Sequence, residues 1–216
     1  MINVIVADDH PLLREGVKKV LTEQSNSIRV IKEVSNAGDL MNALSEEEPD
    51  LVILDITMPN RSGLDAMKDM QDIHPKIPVL ILSMHPEDRF AIRAIKAGAW
   101  GYVNKSSIGE ELVKSITTIV KEKRRYINSK VAEELARQIG TPSDQLPHHA
   151  LSDREFQVFH RVASGMKISD IAKELSLSVQ TIHTYKTRLK KKMDLKSNAD
   201  LTRYAIQHNL ADLNVE

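Results

Sequence analysis

The sequence predicts an α/β chain in two parts: a five-stranded parallel, doubly wound sheet with helices on both faces, then a small all-α unit of four helices. Three observations carry this prediction. Over the first 125 residues, short β-rich runs alternate five times with amphipathic segments of about a dozen residues. Three of the runs are almost wholly apolar, as strands covered on both faces require. Beyond a stretch holding Gly140, Pro142 and Pro147, the apolar period becomes purely helical.

The runs fall at 3–7, 28–34, 51–54, 79–83 and 101–103. The first amphipathic segment, 11–23, places Leu12, Leu13, Val17, Val20 and Leu21 on one face. The next three use Leu40, Met41 and Leu44, then Leu64, Met67, Met70 and Ile73, then Phe90, Ile92, Ala94 and Ile95. The fifth uses Leu112, Ile116, Ile119 and Val120. Alternating strand–helix units imply a parallel sheet wrapped by helices, with its site at the C-terminal ends of the strands. A more polar helix is expected over 126–138, then a linker over 140–149. His148 and His149 read there as solvated linker residues, since no third ligand or rigid frame accompanies them. Four helices follow at about 153–164, 168–175, 179–193 and 198–208.

Composition narrows the function. The chain of 216 residues contains no cysteine, which excludes disulfides, thiolate nucleophiles and cysteine-bound zinc and fits a reducing cytoplasm. The first nine residues lack the basic start of a signal peptide, and no apolar stretch approaches the ~18 residues of a membrane span. A soluble, internal protein is expected. Net charge is zero, but 1–147 carries 19 Lys/Arg against 22 Asp/Glu, and 148–216 carries 11 against 8. That is the sign expected if the C-terminal part meets nucleic acid.

Five chemically informative residues sit at strand ends. Asp8 and Asp9 follow the first run, Asp55 the third, Ser83 the fourth and Lys105 the fifth. One such Asp is usually a turn or a helix cap. Together they suit a different task. Clustered carboxylates favour a hard divalent cation with oxygen ligands, and one of them can act as a phosphoryl-accepting nucleophile. Lys105 would offset charge on the transferring group, and Ser83 would donate a hydrogen bond to it.

These residues resemble a known family. Val6-Ala7-Asp8-Asp9-His10 is similar to the opening of response-regulator receivers, which have a flavodoxin-like fold. Asp55-Ile56-Thr57-Met58-Pro59, followed by Gly63 and Asp65, resembles the segment around the family's phosphoacceptor. The resemblance covers roughly 1–123. It implies that Asp55 is the nucleophile and that Asp9, Asp55 and the Thr57 carbonyl hold Mg²⁺, with Asp8 acting mostly through a bound water. It also implies that Ser83 and Tyr102 form the switch pair. Two positions depart from the pattern: Ser106 follows the lysine where many receivers have proline, and Met84 follows the hydroxyl where a small residue is common.

In the C-terminal part, 168–189 has helix-turn-helix spacing. Ala172 is small where two helices approach, and Ile171, Leu175, Leu177 and Ile182 are apolar where they pack. Ser178 is placed to cap the second helix. Ile182, Leu189 and Met193 then face inward, leaving His183, Thr184, Thr187, Arg188 and Lys191 outside to meet a major groove. Arg188, Lys190, Lys191 and Lys192 form a basic end suited to phosphates; by charge alone such a run is more often a solvated face, and the helix-turn-helix spacing reverses that. The stretch from Leu151-Ser152-Asp153-Arg154-Glu155 through Leu210 resembles the four-helix domain of LuxR-type regulators, and the whole chain resembles the NarL/FixJ class. By that resemblance Gln180, Thr181 and Lys192 join the DNA-facing set. Gln180 stands for a usual lysine, Tyr185 for a common histidine, and Ser176 holds a turn position that often carries glycine, which points to a left-handed backbone.

The expected organisation is a receiver over 1–123, a connecting helix and flexible linker over 124–150, and a DNA-binding domain over 151–216. The resemblance implies a transcription factor rather than an enzyme, apart from self-phosphorylation and dephosphorylation at Asp55. Its expected partners are a sensor histidine kinase, double-stranded promoter DNA and a second copy of the chain, with no membrane. Two rivals stand beside it. A metal-dependent aspartyl-phosphate phosphatase would be expected to carry a second acid two residues after the nucleophile, where Thr57 stands. A phosphorylation-independent DNA binder would leave the full acid, hydroxyl and lysine set without use. An RNA-binding antiterminator would need a different output module.

Overall fold

The computed structural model describes residues 1–58, 61–84, 87–139, 146–208 and 210; for 87–89, 134 and 137–139 it describes the backbone alone. Pro59 and the 140–145 part of the expected linker lie outside the described residues. The chain divides into two compact units, Met1–Arg137 and Gln138–Glu216.

In the first unit, β1 (Ile2–Ala7), β2 (Ile28–Val34), β3 (Leu51–Asp55), β4 (Val79–Ser83) and β5 (Gly101–Asn104) form one parallel sheet in the order β2-β1-β3-β4-β5. The connecting helices are α1 (Pro11–Gln24), α2 (Ala37–Glu46), α3 (Gly63–Ile73), α4 (Glu87–Lys96) and α5 (Ile108–Val120). Strand residues alternate between faces. Val4, Val6, Leu51, Ile53, Leu80, Leu82 and Val103 form one core with Val17 and Leu21 of α1 and Leu112, Ile116 and Ile119 of α5. Ile5, Val52, Leu54 and Ile81 point the other way and are equally buried. That two-sided burial is why the strands read as continuous apolar runs.

The helix faces follow the expected spacing with two exceptions. Leu12 is 83% exposed and Ile73 63% exposed, and each lies in the terminal turn of its helix. Another expectation is corrected after α5. The chain turns through Lys123, at φ 53°, and Tyr126 forms a parallel bridge with Gly101 instead of opening a helix. The Tyr126 N–H donates to the Trp100 carbonyl at 2.8 Å, and its hydroxyl donates to Glu111 at 3.0 Å. α6 (Ser129–Ile139) begins only after Asn128, which accepts from the Val131 N–H at 3.0 Å.

The second unit holds α7 (Asp153–Ala163), α8 (Ile168–Glu174), α9 (Val179–Met193) and α10 (Asn198–Gln207). Ser152 and Ser197 open α7 and α10 with capping boxes closed by Glu155 and Asp200. Phe156, Phe159, Ile171, Leu175, Ile182, Leu189, Met193 and Leu201 are buried. Ser176 adopts φ 53°, the left-handed turn between α8 and α9. The reading of His148 as a solvated linker residue is overturned. Pro147–Ala150 is a turn of 3-10 helix, His148 is buried, and its Nδ1 lies 2.8 Å from the Tyr204 hydroxyl. Its ring also meets those of His149, Phe156 and His208. Tyr204, 56 residues away, supplies the frame that local sequence did not reveal.

No helix among the described residues is long and apolar enough to cross a membrane.

Candidate functional sites: an acidic pocket and a basic helix face

The strand order reverses direction between β1 and β3, so the loops after these strands diverge and leave a crevice at the carboxyl edge of the sheet. Asp8 and Asp9 follow β1, Asp55 is the last residue of β3, Ser83 is the last of β4, and Lys105 follows β5. Asp8, Asp55, Ser83 and Lys105 are all buried. Lys105 reaches across the crevice: its Nζ lies 2.6 Å from Asp8 Oδ2 and 3.0 Å from Asp55 Oδ2. One carboxylate oxygen each from Asp8, Asp9 and Asp55, with a ring nitrogen of His10, lie within 4.8 Å of one another.

The electrostatics follow from this crowding. Burial pushes the Asp55 carboxyl up from 3.8 to about 6. The Lys105 ammonium draws it down, the Asp8 carboxylate pushes it up again, and a backbone hydrogen bond at Thr57 lowers it. Asp8 Oδ2 and Asp55 Oδ2 are buried against the Lys105 ammonium, while Asp9 Oδ1 is buried and accepts no hydrogen bond among the described residues. Three converging hard oxygens, offset here by one ammonium, are the donor set a small divalent cation takes.

Local structure holds the pocket open. Gly63 starts α3 against the end of β3: its N–H donates to the Ile56 carbonyl at 2.8 Å, and a Cβ there would stand 1.9 Å from the Asp55 carbonyl oxygen. Thr57 lies in the intervening loop and is half-buried. Tyr102 pairs with Ile81 in the β4–β5 register and is buried, while Met84, just beyond Ser83, is 71% exposed.

Two residues at this pocket were not singled out from sequence. Arg14 of α1 donates from Nη1 to the Asp8 carbonyl at 2.6 Å and lies 3.8 Å from Glu33, which also holds Lys18 at 2.9 Å. His10 Nδ1 lies 3.2 Å from Asp8 Oδ1 and 2.8 Å from Asp9 Oδ1. The His10 signal was its place beside the acid pair; Arg14 had none, because its partner is a main-chain oxygen.

In the second unit, α9 presents a polar face. Its first turn is capped by Ser178, which accepts from the Thr181 N–H at 3.0 Å. Gln180, His183, Thr184, Thr187, Arg188 and Lys191 are exposed, and Thr181 is half-buried. The Thr184 and Thr187 hydroxyls donate back to the carbonyls of Gln180 and His183. Among the described residues, no carboxylate pairs with Arg188 or Lys191. Lys192 differs, since its Nζ lies 2.6 Å from Glu155 Oε2, at the start of α7. Burial works to raise the Glu155 carboxyl, but the bonds from Lys192 and Ser152 bring it below the usual range.

A doubly wound sheet with clustered acids at its carboxyl edge, joined to a capped helix-turn-helix, is the architecture of a signal-responsive DNA-binding regulator. Residues 4–117 match the response regulator receiver domain, and residues 149–205 match the luxR family of bacterial regulatory proteins. The chain belongs to the two-component response regulators of the NarL/FixJ class, with a receiver domain and a LuxR-type DNA-binding domain. It is 32% identical over 213 residues to the response regulator UvrY of Escherichia coli K12, covering 98% of this chain and 97% of that one. It is likewise 32% identical to the response regulator GacA of Pseudomonas aeruginosa, covering 98% and 99%. Among solved structures, RcsB of Salmonella typhimurium matches with a TM-score of 0.58 at 26% identity, over 95% of this chain and 98% of that one. RcsB bound to the promoter rprA in the presence of the phosphomimetic BeF₃⁻ matches with a TM-score of 0.61 at 25% identity, over 94% and 98%.

Proposed function

We propose that Asp55 accepts a phosphoryl group from a sensor histidine kinase and that this modification controls binding of promoter DNA. The observation that carries the reading is the Lys105 ammonium bridging Asp8 and Asp55 in a buried pocket at the carboxyl ends of β1, β3 and β5. An Asp55 oxygen attacks phosphorus, the bond to the donor's histidine nitrogen breaks, and the electron pair leaves with the imidazole. Lys105 turns from the carboxylates to the incoming phosphoryl oxygens, and Ser83 donates its hydroxyl to another. The donor set fits Mg²⁺ held by Asp9, Asp55 and the Thr57 carbonyl, with Asp8 beside them; when bound it neutralises charge on the phosphoryl oxygens. Self-phosphorylation from small phosphodonors and self-dephosphorylation at Asp55 belong to the same chemistry.

Ser83 and Tyr102 serve as the switch: drawing Ser83 toward the phosphate repositions Tyr102 and biases one of two receiver surfaces. The receiver function resides in 1–123 and the DNA-binding function in 151–216, joined through 124–150. Two phosphorylated chains dimerise on a site with half-sites about one helical turn apart. There Gln180, Thr181, His183, Thr184 and Thr187 face the bases, while Arg188, Lys191 and Lys192 face phosphates. The protein works in the cytoplasm, where kinase and chromosome are both accessible. Intact-mass spectrometry with acetyl phosphate and Mg²⁺ tests the central step. One phosphoryl adduct in the parent and none in Asp55→Asn is expected; an adduct that persists in Asp55→Asn overturns the reading.

A further inference from the structure

His10 occupies the N-cap position of α1 but makes no side-chain cap to the helix. Serine, threonine, aspartate and asparagine are preferred there because their oxygens accept from the first N–H groups. The imidazole turns instead toward the acid pair. Its backbone N–H donates to Asp8 Oδ1 at 2.8 Å, which fixes the turn, and its Nδ1 sits 3.2 Å from that same oxygen and 2.8 Å from Asp9 Oδ1. A ring nitrogen carries at most one hydrogen, so it serves one oxygen well and not two. The Asp8 oxygen takes the hydrogen bond, and Asp9 Oδ1 stays buried without one despite the short approach. A nitrogen and an under-coordinated carboxylate oxygen are thus held side by side, within 4.8 Å of an Asp55 carboxylate oxygen.

We propose that His10 is a nitrogen donor to the cation of the acidic pocket and tilts its selectivity from Mg²⁺ toward a first-row transition ion such as Mn²⁺. The inference rests on the acidic pocket being the cation site described above. Mg²⁺ favours purely oxygen ligands and dehydrates reluctantly, whereas imidazole gains more from the later, softer divalent ions. With a cation at Nδ1, the neutral ring would carry its one hydrogen on Nε2, the other tautomer of the imidazole. The ring is 65% exposed, so its replacement leaves the core intact.

The test uses full-length protein, labelled with ¹⁵N-histidine and titrated with Mn²⁺ alone, then with Mg²⁺ as competitor. Pulsed electron paramagnetic resonance is expected to detect a histidine nitrogen on bound Mn²⁺ in the parent. That coupling disappears in His10→Ala and His10→Gln. In both variants the preference for Mn²⁺ over Mg²⁺ falls roughly tenfold, a typical cost of disturbing a metal's ligand environment. Mn²⁺ that binds without histidine coupling, and is lost in Asp9→Asn, overturns the role of His10 while leaving the acidic site standing. Mn²⁺ binding that survives Asp9→Asn unchanged overturns both.

Discussion

Arg14 Nη1 donates to the carbonyl of Asp8 at 2.6 Å, so a helix residue six positions on holds the main chain of the acidic turn. Glu33, at the end of β2, faces the same guanidinium and ties it to the sheet. Arg14→Ala removes the donor and lets the turn carrying Asp8 and Asp9 relax. Mn²⁺ or Mg²⁺ affinity is expected to fall roughly tenfold, as for other residues that orient metal ligands. Calorimetric titration checks it; an unchanged Kd alongside a lowered Tm would make Arg14 merely structural.

Asp55 gives a pH dependence. Its folded pKa of about 6 lies above the ordinary 3.8, so its protonated form is the one the fold favours. The stability tied to that proton is complete below 3.8 and is lost as pH rises through 6. Asp55→Asn removes this loss. The metal-free variant is therefore expected to be more stable than the metal-free parent above pH 6, by up to about 3 kcal/mol, with the difference fading toward pH 4. Thermal denaturation in chelator across that range decides it; a metal-free parent more stable than Asp55→Asn at pH 8 would contradict the crowding described here.

Gly63 is required by space. A methyl group there meets the Asp55 carbonyl oxygen at 1.9 Å, and that oxygen belongs to a strand with no room to retreat. Gly63→Ala is expected to cost about 1–3 kcal/mol in denaturant titration, the range for forced overpacking. An unaltered midpoint would show that α3 can start elsewhere.

On α9, neighbouring lysines should behave differently. Lys191→Ala is expected to weaken all DNA sequences alike and to lower the salt slope by about one. His183→Ala or Thr184→Ala should change sequence preference, by roughly 1–3 kcal/mol per lost base contact. Lys192→Ala should also lower the thermal stability of the protein, because it leaves Glu155 without its 2.6 Å partner. Binding titrations at several salt concentrations, paired with melting curves, separate the three. A Lys192→Ala protein with parental stability would return that lysine to a purely DNA-facing role.

Phosphorylation is expected to convert the protein to a dimer and to raise DNA affinity without new base contacts, since a second tethered reader acts through effective concentration. Sedimentation with and without acetyl phosphate measures this. A phosphorylated protein that remains monomeric on its target DNA would refute it.

Much of the architecture is written in local pattern. Ile28–Val34, Val79–Ser83 and Val179–Met193 have the limits their apolar periods indicate, because burial on both faces or on one helical stripe leaves a repeat of short range. The acids and the lysine were legible for a related reason: in a parallel sheet every strand end lies on the same edge, so Asp8, Asp55 and Lys105 need only end or follow strands to converge. Periodicity alone did not say which apolar residues of a terminal turn stay exposed, as Leu12 and Ile73 do.

What the sequence determined by itself is therefore the identity and order of the elements, the positions of the acid pair, Asp55 and Lys105 on them, and the capped turn before α9. Only the tertiary structure decided which polar groups meet across long separations. Arg14 bonds a carbonyl, which no side-chain pattern encodes; Lys192 answers Glu155 from 37 residues away; His148 is buried against Tyr204 from 56. Apolar burial repeats with the period of its element and so leaves a trace along the chain, whereas a polar contact depends on the direction and distance of two atoms that only the folded backbone brings together.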